Sequence, residues 1–399
     1  MSTTRSTDFR LRDVAVAAYG PSAVSAIGYG AIMPVLALQA RALGADVSTA
    51  AFVVALWPLG MLATSLPAGA LVARLGERTT LLLAGVVDAV AMVGAALATT
   101  VWQLGICVAV SGAAWTAFLI ARQGYLIDAV PMHWRARAMS LLGGTFRVGV
   151  LVGPLIGAAL ISVSDIRAVF LLSGGTSLAA ALLALVMPDL GAESRTAQRA
   201  AGLDSVRSVL LAHRRTLLTL GVAVIVIGAS RSIRASLLPL WAESIGISPS
   251  TTSLIFAVAA LIDVLFFFPG GWLMDRRGRA VVAVPVVLSV AIACFLLTLT
   301  TTAAGVTAVM VLVAVGNGLG SGIVMTLGAD TAPETGRAQY LGGWRLCGDI
   351  GNSGGPLLVS AVAAAAPLAA ACVVIGVLGL IGTGWVGYWT HRLDVARTR

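Results

Sequence analysis

Apolar residues fall in long unbroken blocks, separated by short polar breaks. Runs of about twenty residues or more, each long enough to cross bilayer hydrocarbon, occupy 14–39, 48–73, 80–100, 103–127, 138–162, 166–187, 216–242, 251–273, 280–300, 303–328, 338–364 and 368–389. One break is long: Pro188–Arg215 carries Arg195, Arg199, Arg207, Arg214 and Arg215 with Asp189, Glu193 and Asp204. The pattern predicts an all-α membrane protein with twelve transmembrane helices, six on each side of that break. It divides into a six-helix bundle over 1–190, a cytoplasmic linker over 191–215 and a second bundle over 216–399. The polar stretch Met1–Asp13 leads into a run too long for the apolar region of a cleaved signal peptide, so the first run reads as a retained span.

Composition supports the assignment and narrows the chemistry. Of 399 residues, 58% are hydrophobic and 11% charged, and the mean hydropathy is +0.97, which excludes a soluble helical protein. Lysine is absent, so every one of the 26 basic residues is arginine. With the N-terminus in the cytoplasm, only Arg41 and Arg167 fall outside; Arg122, Arg147, Arg231, Arg234 and Arg345 lie within helices, and the rest are cytoplasmic. This asymmetry predicts a multi-pass protein of the plasma membrane with both termini cytoplasmic. It accounts for the net charge of +9 without nucleic acid. A chain without lysine has no Walker A loop, hence no ATP motor. Cys107, Cys294, Cys347 and Cys372 sit inside apolar runs, and His133, His213 and His391 at separate helix ends. No metal site, cofactor or enzymatic nucleophile–base pair is expected.

One short charged stretch organises the rest. Gly271-x-Leu273-x-Asp275-Arg276-x-Gly278-Arg279 reads as a tight turn between two spans, and 202 positions earlier stands Gly69-x-Leu71-x-Ala73-Arg74-x-Gly76-x-Arg78. The same offset pairs Pro67 with Pro269, Asp128 with Asp330, Pro131 with Pro333 and Arg135 with Arg337. It also pairs Gly153-Pro154-Leu155 with Gly355-Pro356-Leu357. A register kept across several loops and helices indicates parallel duplicated halves related by an axis along the membrane normal.

The doubled stretch resembles the signature loop of the major facilitator superfamily. The resemblance implies two pseudo-symmetric six-helix bundles and secondary transport by alternating access. In that family the loop latches the halves on the cytoplasmic side, a role that falls by resemblance to Gly69, Arg74, Gly76, Gly271, Asp275, Arg276, Gly278 and Arg279. Asp275 is expected to cap a helix start and pair with an arginine. Ala73 stands where the family has aspartate. The segment from Asp128 to Ala138 is similar to the family's D-x-x-P-x-x-x-R-x-R-A connection. Gly149-x-x-x-Gly153-Pro154-x-x-Gly157-Ala158 resembles its helix 5 antiporter motif, which accompanies export against an incoming proton; physically, small residues bring helices close and proline bends them. The resemblance is to the drug:proton antiporter branch, although the arginine which that branch carries early in helix 4 is missing near Val108.

Charges inside spans are costly and mark sites. Asp263, Asp349 and Asp88 are the candidates for proton coupling. Arg231, Arg234, Arg122, Arg147 and Arg345 are the candidates for substrate contacts or charge pairs. Arg231 and Arg234 share a helix face, and depth counting places Asp263 within reach of Arg231. Arg345 and Asp349 are spaced to neutralise one another, Asp88 and Arg122 are expected to pair, and Arg147 has no evident partner. Trp57, Trp115, Tyr125, Phe146, Phe266, Phe267 and Trp344 are candidates for an apolar cavity lining. The expected function is proton-coupled efflux of a small amphiphilic molecule or drug by a monomer, with protons and the bilayer as its other partners. The arginine surplus leaves a transporter of an anionic metabolite, by exchange or proton symport, as the alternative. A non-transporting sensor or scaffold of the same fold is the third reading.

Overall fold

The computed structural model of the chain describes residues 11–130, 135–187, 210–333 and 337–398, and every regular element in them is helical. In order these are α1 (Leu11–Ile32), α2 (Leu36–Ala42), α3 (Val47–Leu75), α4 (Glu77–Leu97), α5 (Val101–Ala129), α6 (Arg135–Val163) and α7 (Ile166–Leu185). A turn over Arg214–Thr216 and a π-helical stretch over Leu217–Gly221 lead into α8 (Val222–Ser244). Then follow α9 (Pro249–Arg277), α10 (Ala280–Leu297), α11 (Ala303–Leu319), α12 (Ile323–Thr331), α13 (Arg337–Ala365) and α14 (Leu368–Thr398). The expected linker lies almost wholly outside the described residues. So do His133, the 131–134 part of the Asp128–Ala138 connection and the side chains of Asp128, Arg135 and Arg137.

Ten described spans are long and apolar enough to cross a membrane, and the pair α1–α2 makes an eleventh. The first predicted run is therefore not one straight helix: it bends by 45° between Ile32 and Leu36, where Pro34 has no amide to donate. The run at 303–328 likewise breaks into α11 and α12 at Gly320–Gly322. The twelfth position is α13, whose apolar run is interrupted by Arg345, Asp349 and Asn352. It packs on α8 and α3, so its polar residues have protein rather than lipid to face.

The duplication extends to backbone detail. Among the described residues the four positive-φ glycines fall in two pairs 202 apart, Gly44 with Gly246 and Gly76 with Gly278, each ending a helix in a conformation that only glycine adopts at little cost. Asp46 and Ser248 cap α3 and α9, and Thr100 and Thr302 cap α5 and α11, each bonding the amide three residues on. The α1·α6 and α8·α13 interfaces are built alike. An added Cβ on Gly153 would collide with the Ile27 carbonyl, and one on Gly351 with the Ile225 carbonyl. Gly149 meets Ala26, and Gly355 meets Ala229. The small residues of the antiporter-type motif therefore seat helix on helix in both halves, while Gly157 has only ordinary contacts with Ala31.

The cores show how the halves meet. On the face bearing Gly44 and Gly246 one apolar core is shared: Leu36, Val54, Leu104 and Phe170 pack in the same cluster as Leu237, Trp241, Val290 and Val306. On the opposite face the core divides. Trp115, Phe118, Leu126 and Leu142 form one cluster of first-half residues, and Ile227, Val286, Leu327 and Trp344 one of second-half residues. The shared face is also pinned by polar bonds that obey the two-fold. Arg41 Nε lies 2.9 Å from Glu243 Oε2, and these residues are themselves 202 apart. Ser48 Oγ donates to the Ser360 carbonyl at 2.8 Å, and its counterpart Ser250 Oγ donates to the Ala158 carbonyl, the counterpart of Ser360, at 3.0 Å.

The signature stretch differs from its expected form. The helix continues to Arg277, so Gly69, Arg74, Gly271, Asp275 and Arg276 are helical, and the turns reduce to Gly76 and to Gly278–Arg279. Asp275 is exposed in the last turn of α9 and caps nothing. The start of α10 is instead capped by Asp394 of α14, whose carboxylate accepts from the Arg279 and Ala280 amides at 2.8–3.0 Å. Arg279 Nε meets Asp330 at 2.8 Å, and Arg276 stacks on Trp272 at 4.4 Å.

Overpacking a helix seam costs about 1–3 kcal/mol, so Gly153→Leu should lower the melting temperature of the detergent-purified protein. Gly175→Leu, on the exposed side of α7 where an added Cβ meets nothing within 4 Å, should not. Equal melting of the two variants would refute the seam.

Candidate functional site

Where the two divided cores part, a cavity of about 400 Å³ opens between the halves, a size suited to a small molecule. Each wall uses one face of its helices. On α5 the lining residues are Trp115, Leu119 and Arg122; on α13 they are Asp349, Asn352 and Pro356. Both sets recur at three-, four- and seven-residue spacing, which keeps side chains on one helical stripe.

The first-half wall is aromatic. Tyr29 lies 5.1 Å from Trp57, 5.4 Å from Trp115 and 5.6 Å from Phe146 between ring centroids. Trp115 stacks in turn on Phe118 at 5.6 Å. The Arg122 guanidinium stands over Phe146 at 5.4 Å. Such offset and tilted rings present a broad, rigid, polarisable surface.

The second-half wall is polar. Arg234 Nη1 donates to Asp263 Oδ2 at 3.1 Å, and Asn317 Nδ2 donates to the same oxygen at 3.1 Å. Asp263 is only 8% exposed, and its Oδ1 has no partner. Arg231, three residues from Arg234, misses the aspartate. Its Nη2 donates to the Gly320 carbonyl at 2.7 Å, at the C-terminal end of α11 where a cation also meets the helix dipole. The expected Arg231–Asp263 pair is thus an Arg234–Asp263 pair. Three residues along a helix advance about 4.5 Å, and that step brings the guanidinium level with the carboxylate.

The other charges are disposed as follows. Arg345 Nε lies 3.9 Å from Asp349 within α13, the loosest of the ion pairs among the described residues. Arg147 of α6 crosses to the other half and rests on Phe267 of α9 at 4.2 Å. Its charge and those of Arg231, Arg234 and Asp263 act on one another. The expected Asp88–Arg122 pair does not form. Asp88, behind the aromatic wall, accepts from Ser111 and Ser177 at 2.5 Å each, because its helix face turns toward α5 and α7 and away from the cavity.

Of the aromatic candidates, Trp57, Trp115 and Phe146 line the cavity. Tyr125 is in the first-half core, and Trp344 is in the second-half core with its indole bonded to the Val324 carbonyl at 2.8 Å. Phe266 packs against the backbone at Gly318. Tyr29, Asn352 and Asn317 were not anticipated. The signal for Asn317 is an amide between two glycines in an otherwise apolar helix, a placement that requires an internal partner. Among the described residues no group of His, Cys, Asp or Glu is placed to hold a metal ion, and the four cysteines are free.

The cavity walls occupy the same positions of the repeat. Tyr29 corresponds to Arg231, Trp57 to Ala259, Met61 to Asp263, Val150 to Asn352 and Pro154 to Pro356, each 202 apart and each lining the cavity.

Comparison with known proteins agrees with this architecture. Over 161 residues the chain is 30% identical to the multidrug resistance protein MdtG of Salmonella heidelberg, covering 38% of this chain and 39% of that protein. It is equally similar to MdtG of Citrobacter koseri, over 38% of each. The match thus spans about two fifths of these relatives' length. Among solved structures, a POT family transporter in complex with a thioalcohol-conjugated peptide superposes with a TM-score of 0.79 at 12% identity over 96% of both chains. A D-xylose–proton symporter gives 0.73 at 17% identity over 95% of this chain and 98% of its own. A bacterial homolog of the human lysosomal transporter Spinster gives 0.75 at 16% identity over 95% and 97%. These likenesses show the fold. The sequence profile of the Major Facilitator Superfamily matches residues 22–356 and, a second time, 220–398. The chain is therefore a multi-pass membrane transporter and not an enzyme, and it belongs to the Major Facilitator Superfamily.

Proposed function

We propose that this transporter exports small amphiphilic aromatic molecules in exchange for protons. In this reading the helices of residues 1–190 rock against those of 216–399, joined by 191–215, about the central cavity. The observation that carries it is Asp263: a nearly buried carboxylate on the wall opposite the aromatic cluster, with one oxygen held by Arg234 and Asn317 and the other unpaired. Ionised, Asp263 is neutralised by Arg234 and ties α8 to α9. Protonated, it loses that attraction and loosens the wall. Proton binding thereby shifts the equilibrium between states that hold Asp263 differently, as any coupling ligand must. The aromatic wall supplies the surface for an amphiphilic substrate. Two relatives that share about two fifths of their length with this chain are multidrug resistance proteins, which supports drug-like cargo and the export direction.

The divided cores leave the cavity nearest the face bearing Gly76 and Gly278, where the arginine-rich connections cluster. With arginines inside, that face is cytoplasmic, both termini are cytoplasmic in a plasma membrane, and the state is inward-open. The Arg41–Glu243, Ser48–Ser360 and Ser250–Ala158 contacts then form the outer closure. The ion pair is about a third exposed on both sides and contributes about 1 kcal/mol at most, so it registers the halves without locking them. The loop around Gly278 is held by Asp330 and Asp394 of its own half, while Asp275 and Arg276 stay exposed. These two residues are free to meet the first half when the inner face closes. The protein works as a monomer.

In proteoliposomes carrying a fluorescent amphiphilic dye, an imposed pH gradient should accelerate transport by the wild type and leave Asp263→Asn unaffected. Gradient-driven transport by Asp263→Asn would remove Asp263 from proton coupling. Arg234→Ala strands the carboxylate and should cost about 3–5 kcal/mol of stability. Adding Asp263→Asn should restore most of the loss in a thermal melt, and a double variant as unstable as the single one would contradict the pair. Cysteines at Ser48 and Ser360 should form a disulfide under oxidation and arrest transport until reduced. Undiminished flux in the cross-linked protein would show that the outer seam does not part.

A further inference from the structure

Two arginines on the cavity wall carry guanidinium nitrogens that are shielded from solvent and bonded to nothing: Nε and Nη1 of Arg122, and Nε of Arg231. Their situations differ. Arg231 is tied through Nη2 to the Gly320 carbonyl, and its neighbour Arg234 is neutralised by Asp263. Arg122 has no carboxylate against it in any ion pair described, and the charge that acts on it is the like charge of Arg345. Asp88, the carboxylate within α4, is already held by Ser111 and Ser177. A cation whose shielded donors go unfilled is a costly arrangement, and it is retained here on the surface of a cavity.

Its setting defines a ligand. Arg122 lies one turn beyond Leu119 and two beyond Trp115 on the lining stripe of α5, and its guanidinium covers one face of Phe146. Phe146 is 5.6 Å from Tyr29, which also meets Trp57 and Trp115. Unsatisfied donors thus stand at the edge of a ring-lined patch. We propose that the substrates are aromatic anions, compounds with a carboxylate, phosphonate or sulfonate beside an aromatic system. The rings pack on Tyr29, Trp57 and Trp115, and the acidic group accepts from Arg122. This rests on the cavity being the transport site and adds the charge of the cargo. It also places the anion on the first-half wall and the proton, at Asp263, on the second. The two ligands do not contend for the same atoms, and Arg234 remains paired with Asp263 while the anion occupies the cavity.

The test compares three probes of one shape: 2-naphthoate, 2-naphthamide and the naphthylmethylammonium ion. Equilibrium binding to the purified protein should favour the carboxylate over the amide by about tenfold or more, the span expected of a charged hydrogen bond. Arg122→Gln should lower carboxylate affinity to the amide level without moving amide affinity, and Arg122→Lys should recover part of the difference. A wild type that binds carboxylate and amide equally, or an Arg122→Gln variant that weakens both alike, would overturn the assignment. Flux in proteoliposomes separates this from the underlying reading. Transport of the amide or ammonium probe but not of the carboxylate sinks the anion assignment alone. A protein that moves none of the three sinks the transport reading and the assignment with it.

Discussion

A charge inside a membrane must be met within the protein, and the polar architecture of this chain follows from where that requirement is filled. Asp263 is met by Arg234 and Asn317, Asp88 by two serines, Asp349 loosely by Arg345, and Arg231 by a backbone carbonyl at a helix break. Arg147 is met only by a ring, and Arg122 by a ring and nothing that accepts a hydrogen bond from its buried nitrogens. The degree of satisfaction falls toward the cavity. Asp88, behind the aromatic wall, has both carboxylate oxygens filled, whereas Asp263, Arg122 and Arg231 on the walls keep spare acceptors or donors.

The same economy governs the seam between the halves. Where one apolar core runs through both, the interface resembles a protein interior, and close van der Waals packing between the helices is its main adhesive, since lipid is as apolar as the side chains it would replace. The polar contacts on that face are few and partly exposed, and they come in two-fold-related sets. They fix register more than they add stability. On the other face each half completes its own core, so separation there exposes little apolar surface. The interface is continuous at one end and divided at the other, and the proposed rocking of the halves would turn on the continuous end.

Local features of this fold could be read from the residues themselves. The 202-residue register, first visible in Gly69 and Gly271, goes on to match helix caps, positive-φ glycines and the glycine seams of α6 and α13, because each depends on a residue and its near neighbours. Partnerships between helices could not be read so directly. Arg231 and Arg234 share a face, yet only one reaches Asp263, and the choice depends on relative depth and rotation of α8 and α9 to within a single turn. Asp88 and Arg122 sit on adjacent helices but point to different sides of the aromatic wall. Tyr29 escaped notice because an isolated tyrosine in a long apolar run looks like packing. The break at Pro34 escaped notice because hydropathy registers length and not direction. The helical nature of Gly271 and Asp275 was obscured because charges at the end of a long helix look like a loop.

The register also separates what duplication kept from what it abandoned. Scaffold positions are conserved between the halves: Gly153 and Gly355, Pro154 and Pro356, and Gly76 and Gly278 do the same work. A motif repeated as a packing device in both halves cannot by itself set the direction of transport. Most cavity positions diverged instead, Pro154 and Pro356 being the exception. Tyr29, Met61, Trp115, Phe146 and Val150, all lining the cavity, correspond in the register to Arg231, Asp263, Asn317, Gly348 and Asn352. One copy became a ring-rich face and the other a polar, charged one. Two identical walls would give a ligand no reason to prefer either and would give a proton no distinct place to act. Dissimilar walls on a symmetric frame give two ligands separate places to act, which is what the proposed exchange of substrate for proton requires of the site.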